Sequence, residues 1–108
     1  MTPFTLDLAQ FEANAGRAEA LLRDLGNARR LMILCQLSDR EMTVGDLQAA
    51  VGISQSALSQ HLARLRTSGI VTTRRSAQTI WYRIADPAAL RLIATLAEIF
   101  CAPDAAAS

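Results

Sequence analysis

Ser54-Gln55-Ser56-Ala57-Leu58-Ser59-Gln60-His61-Leu62-Ala63-Arg64-Leu65-Arg66-Thr67-Ser68-Gly69 is the stretch on which the reading of this chain turns. Leu58, Leu62 and Leu65 recur at helical spacing and define one apolar stripe. Ser54 stands at the N-cap, and Gly69 ends the pattern after Ser68. At ~100° per residue the opposite side carries Ser56, Ser59, Gln60, Ala63, Arg64 and Thr67, with Gln55 near its edge on the first turn. Such a helix buries its leucines and offers hydroxyls, an amide and a guanidinium outward.

Upstream, Thr43-Val44-Gly45-Asp46 is a Thr-x-x-Asp helix start, and the helix it opens closes at Gly52, suited to a left-handed C-terminal turn. Two short helices therefore meet across Gly52-Ile53-Ser54. Downstream the period changes from helix to strand. Val71–Ser76 and Thr79–Ile84 are rich in β-branched and aromatic residues, and a Ser76-Ala77-Gln78 tip joins them into a hairpin. Trp81 and Tyr82 read as packing groups of that hairpin.

Further out, Leu8, Phe11, Ala15, Ala18, Leu22 and Leu25 predict an amphipathic helix over 6–24, interrupted at Gly26-Asn27. Ala28–Leu37 is a short apolar helix holding Leu31, Ile33, Leu34, Cys35 and Leu37, and Ser38-Asp39-Arg40-Glu41 is a polar connection. Asp86 and Pro87 begin a last helix that runs to about Cys101. Its Leu90, Leu92, Ile93, Leu96, Ala97, Ile99 and Phe100 leave almost no polar face. A helix apolar all round must be covered all round, and a 108-residue chain has little interior to spare. A second subunit is the expected cover. The predicted order is ααααββα, mainly α with a β-hairpin: one winged helix-turn-helix domain over 1–108, with an ordered core at 6–101 and loose ends at Met1–Thr5 and Pro103–Ser108.

The formal net charge of +1 conceals segregation. Every basic residue is arginine. Residues 1–52 carry −2, residues 86–108 carry −2, and residues 53–85 carry +5 with no acid at all. A block of that kind seeks a polyanion. With the helix face and the hairpin it points to double-stranded DNA, against a merely solvated polar face. Gln55 and Gln60 suit adenine, Arg64 guanine or phosphate, and Ser54, Ser56 and Ser59 the backbone. His61, on the flank of the leucine stripe, suits packing or a phosphate. Arg74, Arg75 and Gln78 would carry the hairpin's contacts to phosphate or minor groove.

Other chemistries find little support. The basic block holds no acid to orient His61, so no Ser-His-Asp arrangement is visible, and an enzyme is not expected. Two cysteines and one histidine cannot close a zinc site within one chain without a carboxylate or a second subunit, and no cofactor is implied. No secretory pattern and no apolar run of ~18 residues is present. A cytoplasmic location with no membrane partner is the expectation, and there both cysteines stay reduced.

Residues 27–101 resemble the ArsR/SmtB family of small dimeric winged-helix repressors. The resemblance is carried by Asn27-Ala28-Arg29-Arg30-Leu31, Ser54 to Leu62, Leu65-Arg66-Thr67-Ser68-Gly69-Ile70-Val71 and Trp81-Tyr82-Arg83-Ile84. It departs from the family at Gln48, where a small residue is usual, and at the tip, where Ser76-Ala77-Gln78 replaces Glu-Gly-Lys/Arg. The resemblance implies a homodimer through the first and last helices, bound to an inverted-repeat operator and released by a chemical signal. The family's metal sites find no ligands here: 43–48 lack a thiol, and the last helix between Pro87 and Cys101 has only Arg91 and Glu98 as charged residues. Cys35 and Cys101 instead resemble the sulfur-responsive dithiol subgroup, which implies that persulfide or polysulfide bridges the two sulfurs and that the reduced form binds DNA. A peroxide-responsive disulfide switch and a protein-interaction module without a DNA target stay open as alternatives. The dipole at a helix C-terminus disfavours a thiolate at Cys101, which makes Cys35 the expected first attacker.

Overall fold

Side-chain caps set the helix boundaries, as the local sequence predicts. A computed structural model describes residues 5–101; apart from Thr5, the ends expected to be loose lie outside them. The Asp7 carboxylate accepts from the Gln10 N–H at 3.1 Å and opens α1 (Leu8–Leu25), slightly later than the apolar period alone suggests. Asn27 accepts from the N–H groups of Arg29 and Arg30, so it starts α2 (Ala28–Gln36) as well as breaking α1. Thr43 caps α3 (Val44–Val51), Ser54 caps α4 (Gln55–Thr67), and Asp86 caps α5 (Pro87–Phe100), with proline at its start. Each such cap contributes about 1 kcal/mol.

Gly52 closes α3 at φ 74°, a left-handed conformation that only glycine adopts without strain. It turns the chain sharply enough for α4 to follow within a few residues. Between α4 and α5 lie β1 (Val71–Ser76) and β2 (Thr79–Ile84), antiparallel, with Val71 opposite Ile84 and Ser76 opposite Thr79. The turn is therefore Ala77-Gln78 alone, one residue tighter than the expected three-residue tip. Ala77 sits at φ 55°, where an L-residue is strained by about 1–2 kcal/mol. A tight hairpin demands positive φ even though no Gly or Asn stands there. A second pairing was not legible in the sequence: Met42 and Tyr82 exchange backbone hydrogen bonds at 3.0 and 2.8 Å, tying the segment before α3 to the hairpin.

One apolar cluster holds these elements together. Ile33 and Leu34 of α2, Leu47 of α3, Leu58, Leu62 and Leu65 of α4, Ile70, Val71, and Ala89 and Ile93 of α5 are all buried. Arg30 is buried with them. Its Nε donates to the Asp24 carbonyl at 2.6 Å and its Nη2 to the Arg23 carbonyl at 3.1 Å, which satisfies carbonyls at the end of α1.

The outer helices are only partly covered. On α1 just Leu25 is buried, while Leu8 is 70% and Phe11 52% exposed. On α5 Ala89 and Ile93 are buried, but Ile99 is 64% and Phe100 78% exposed. The single chain thus leaves partly uncovered the last helix, which the sequence marks as needing cover, and the first, which the family resemblance places beside it in a dimer.

Candidate nucleic-acid interface and thiol pair

Helix α4 divides as its sequence predicts. Leu58, Leu62 and Leu65 are buried, and Ser56, Ser59, Gln60, Ala63, Arg64 and Thr67 are exposed, as are Gln55 and Ser54. The Ser54 hydroxyl accepts from the Ala57 N–H at 3.1 Å, so its own O–H stays available to donate to a phosphate. His61 is half-buried on the flank. Burial and the nearby Arg30, Arg64 and Arg29 guanidinium groups hold its pKa below the usual imidazole value. At neutral pH it is an uncharged N–H donor rather than a cation.

The basic block is less unopposed than its sequence suggests, because acids from outside it fold onto two of its arginines. Arg64 Nε lies 2.9 Å from Asp24 Oδ1 of α1. Arg74 Nε contacts both Glu41 oxygens at 2.7 and 2.9 Å, and its guanidinium lies 5.6 Å from the centroid of the Trp81 ring. Arg75 donates to the Ala77 carbonyl across the turn at 3.2 Å. Exposed Gln78 completes that turn. Among the described residues Arg66, Arg75 and Arg83 form no ion pair, and all three are exposed. Arg66 was not singled out in the sequence. It lines an open groove of about 360 Å³ between α4 and the hairpin, with Ser59, Ala63, Thr67 and Tyr82. The available signal was its position, two helical turns on from Ser59 along the exposed side.

Separately, Cys35 of α2 and Cys101 at the end of α5 are both free thiols and line one open cavity of about 590 Å³. Its walls are mostly apolar, from Leu90, Ile93, Ala94 and Ala97, with Ser38 and Glu98 as polar members. Among the described residues no three His, Cys, Asp or Glu side chains converge as metal ligands would.

Burial, followed by the proximity of Cys101, pushes the Cys35 thiol pKa up. Cys101 is exposed. Burial acts on Cys35 and also limits its access, whereas Cys101 is open to solvent, which favours Cys101 for first contact with a reagent. Alkylation by iodoacetamide should therefore be faster for the Cys35→Ser protein, which keeps Cys101, than for Cys101→Ser, which keeps Cys35. The Cys35 rate should go on rising with pH beyond the range of an ordinary thiol. Equal rates with a common pH midpoint would contradict the assignment. The same shift has a stability consequence. The folded state favours the protonated thiol, so its stabilisation is complete below the ordinary thiol value and is lost as pH rises through the folded one.

Residues 27–73 match the family described as bacterial regulatory protein, arsR family. The transcriptional activator HlyU of Vibrio cholerae serotype O1 is 44% identical over 96 residues, covering 89% of each chain. The crystal structure of the transcriptional repressor BigR from Xylella fastidiosa superposes with a TM-score of 0.83 at 41% identity, covering 91% of this chain and 100% of that one. A structure of reduced HlyU from Vibrio cholerae N16961 gives a TM-score of 0.81 at 44% identity over 85% and 97% of the two chains. These relatives are transcriptional regulators and not enzymes. Matched to them along most of its length, in sequence and in winged helix-turn-helix fold alike, this chain belongs to the arsR family of bacterial transcriptional regulators.

Proposed function

We propose that the protein is a dimeric repressor that binds an inverted-repeat DNA operator in its dithiol form and releases it when reactive sulfur bridges Cys35 and Cys101. The observation that carries this reading is the shared cavity of the two thiols, walled by α5, the helix whose remaining apolar surface is uncovered. A bridge across that cavity pulls on the helix that a second subunit would pack against.

The chemistry balances as two exchanges. The Cys101 thiolate attacks a sulfur of an organic polysulfide, a sulfur–sulfur bond breaks, and a thiolate or persulfide leaves. Cys35 then attacks the mixed species on Cys101, expels the second thiolate and closes the bridge. Overall two cysteine thiols are oxidised, the departing sulfur groups are reduced, and the sulfurs between the two attack points are retained. The apolar walls of the cavity suit neutral sulfur chains, and its size leaves room for more than a plain disulfide.

On the DNA side, Gln60, Ser56 and Ser59 face the major groove and Gln55 its edge. Ser54, His61, Arg66, Arg75 and Gln78 are the phosphate and wing contacts. α1 and α5 of two subunits form the dimer, and the described helices contain none able to cross a membrane, in keeping with a cytoplasmic regulator.

The reading is tested by fluorescence anisotropy on a labelled duplex selected by the protein from a random library. Reduced protein should bind with an affinity that falls steeply as salt rises, and an organic polysulfide should release it. Salt-independent or absent DNA affinity would favour a protein-interaction module instead.

A further inference from the structure

We infer that Asp24 and Arg64 form a strut between α1 and the recognition helix α4, and that Arg64 serves operator binding through this strut rather than by touching DNA. The inference rests on the DNA-reading role proposed above and assigns Asp24 as a positioning residue for it.

The two residues are 40 positions apart, and their contact joins the first helix directly to the fourth. The Asp24 side chain is 14% exposed, against 44% for Arg64, so the carboxylate is the fixed end. Burial alone would raise the Asp24 pKa. The Arg64 hydrogen bond, the nearby Ser68 hydroxyl and the charges of Arg64 and Arg30 outweigh burial and hold it below the usual carboxylate value. The backbone of the same residue is also engaged, because its carbonyl takes the 2.6 Å bond from Arg30 at the start of α2. Asp24 therefore collects α1, α2 and the C-terminal part of α4 at one point. The neighbouring Glu19–Arg23 pair is a useful contrast. At 3.3 Å, within one helix and largely exposed at both ends, it holds nothing in place.

The position of this junction gives it a role in recognition. A helix-turn-helix dimer reads two half-sites only if its recognition helices are held at one spacing. In the proposed dimer α1 belongs to the interface and α4 to the DNA, so the strut transmits the spacing from one to the other. An arginine held through Nε by a largely covered carboxylate is poorly placed to follow a phosphate.

The test compares Asp24→Asn, Arg64→Gln and the double variant. Each is titrated with the inverted-repeat duplex enriched by the unmodified protein, and with duplexes carrying one base pair more or fewer between the half-sites. Each single variant should bind about five- to tenfold more weakly, the size of a typical net hydrogen-bond contribution. The double variant should be no weaker than either single one. The preference for the native spacing should narrow, and the dependence on salt should stay as in the unmodified protein. If Arg64→Gln instead reduces the salt slope by about one, while Asp24→Asn binds as tightly or more tightly, Arg64 is a DNA ligand and the inference is overturned. A urea-unfolding cycle on the same proteins needs no DNA, so it reads the strut even if no duplex is enriched, the outcome that would sink the DNA-binding role. Coupling between the two substitutions supports the strut, and strict additivity rejects it.

Discussion

Replacing Cys101 with serine is expected to leave the operator affinity of the reduced protein within about twofold of the original, as for a surface change away from the interface, and to abolish release by organic polysulfides. Cys101 is the exposed thiol, and no α4 residue lines its cavity, so under the proposed switch its loss would remove the entry point for sulfur and leave the proposed DNA contacts in place. Cys35→Ser should behave differently. It should accept a single mixed adduct on Cys101, fail to close the bridge, and release DNA poorly. Anisotropy on the enriched duplex, with intact mass measured in parallel, reads both outcomes. Release of Cys101→Ser by polysulfide would place the sensor elsewhere.

The second large effect is expected at the proposed dimer surface. Phe100→Asp should weaken self-association by about a hundredfold to ten-thousandfold. Burying a phenylalanine contributes about 1.5–3 kcal/mol, and a two-fold interface loses the contribution of both copies. Phe100 is 78% exposed in the single chain, so the variant should still fold, with helical circular dichroism unchanged. Sedimentation equilibrium should show a folded monomer with operator affinity reduced by a similar order, since one half-site then binds alone. A variant that remains dimeric would exclude the α5 end from the interface and shift attention to Leu8 and Phe11 on α1 alone.

The parts of this fold that depend on near neighbours were legible in the sequence. The leucine stripe of α4, the caps at Thr43, Ser54 and Asp86 and the left-handed Gly52 all act within a few residues, and each lies where the local pattern puts it. The exposed face from Ser56 to Thr67 followed from helix geometry alone. What escaped is long-range. Asp24 reaches Arg64 across 40 residues and Glu41 reaches Arg74 across 33, so a segment that counts as +5 in sequence has two of its charges matched in space. The Met42–Tyr82 bridge is a backbone event that no side-chain pattern announces. The hairpin tip was placed, but its tightening to two residues with Ala77 at positive φ was not, because no Gly or Asn marks it. The burial that raises the Cys35 pKa was hidden for a related reason: it comes from packing of distant elements.

The central claim is that a sulfur bridge inside one subunit controls DNA binding. The most direct measurement is non-reducing peptide mass spectrometry of protein that an organic polysulfide has just released from its duplex. The account predicts that the peptides containing Cys35 and Cys101 of the same subunit are joined, with at least one additional sulfur atom retained between them, in proportion to the DNA released. Released protein with both thiols unmodified, or joined only between subunits, would contradict it.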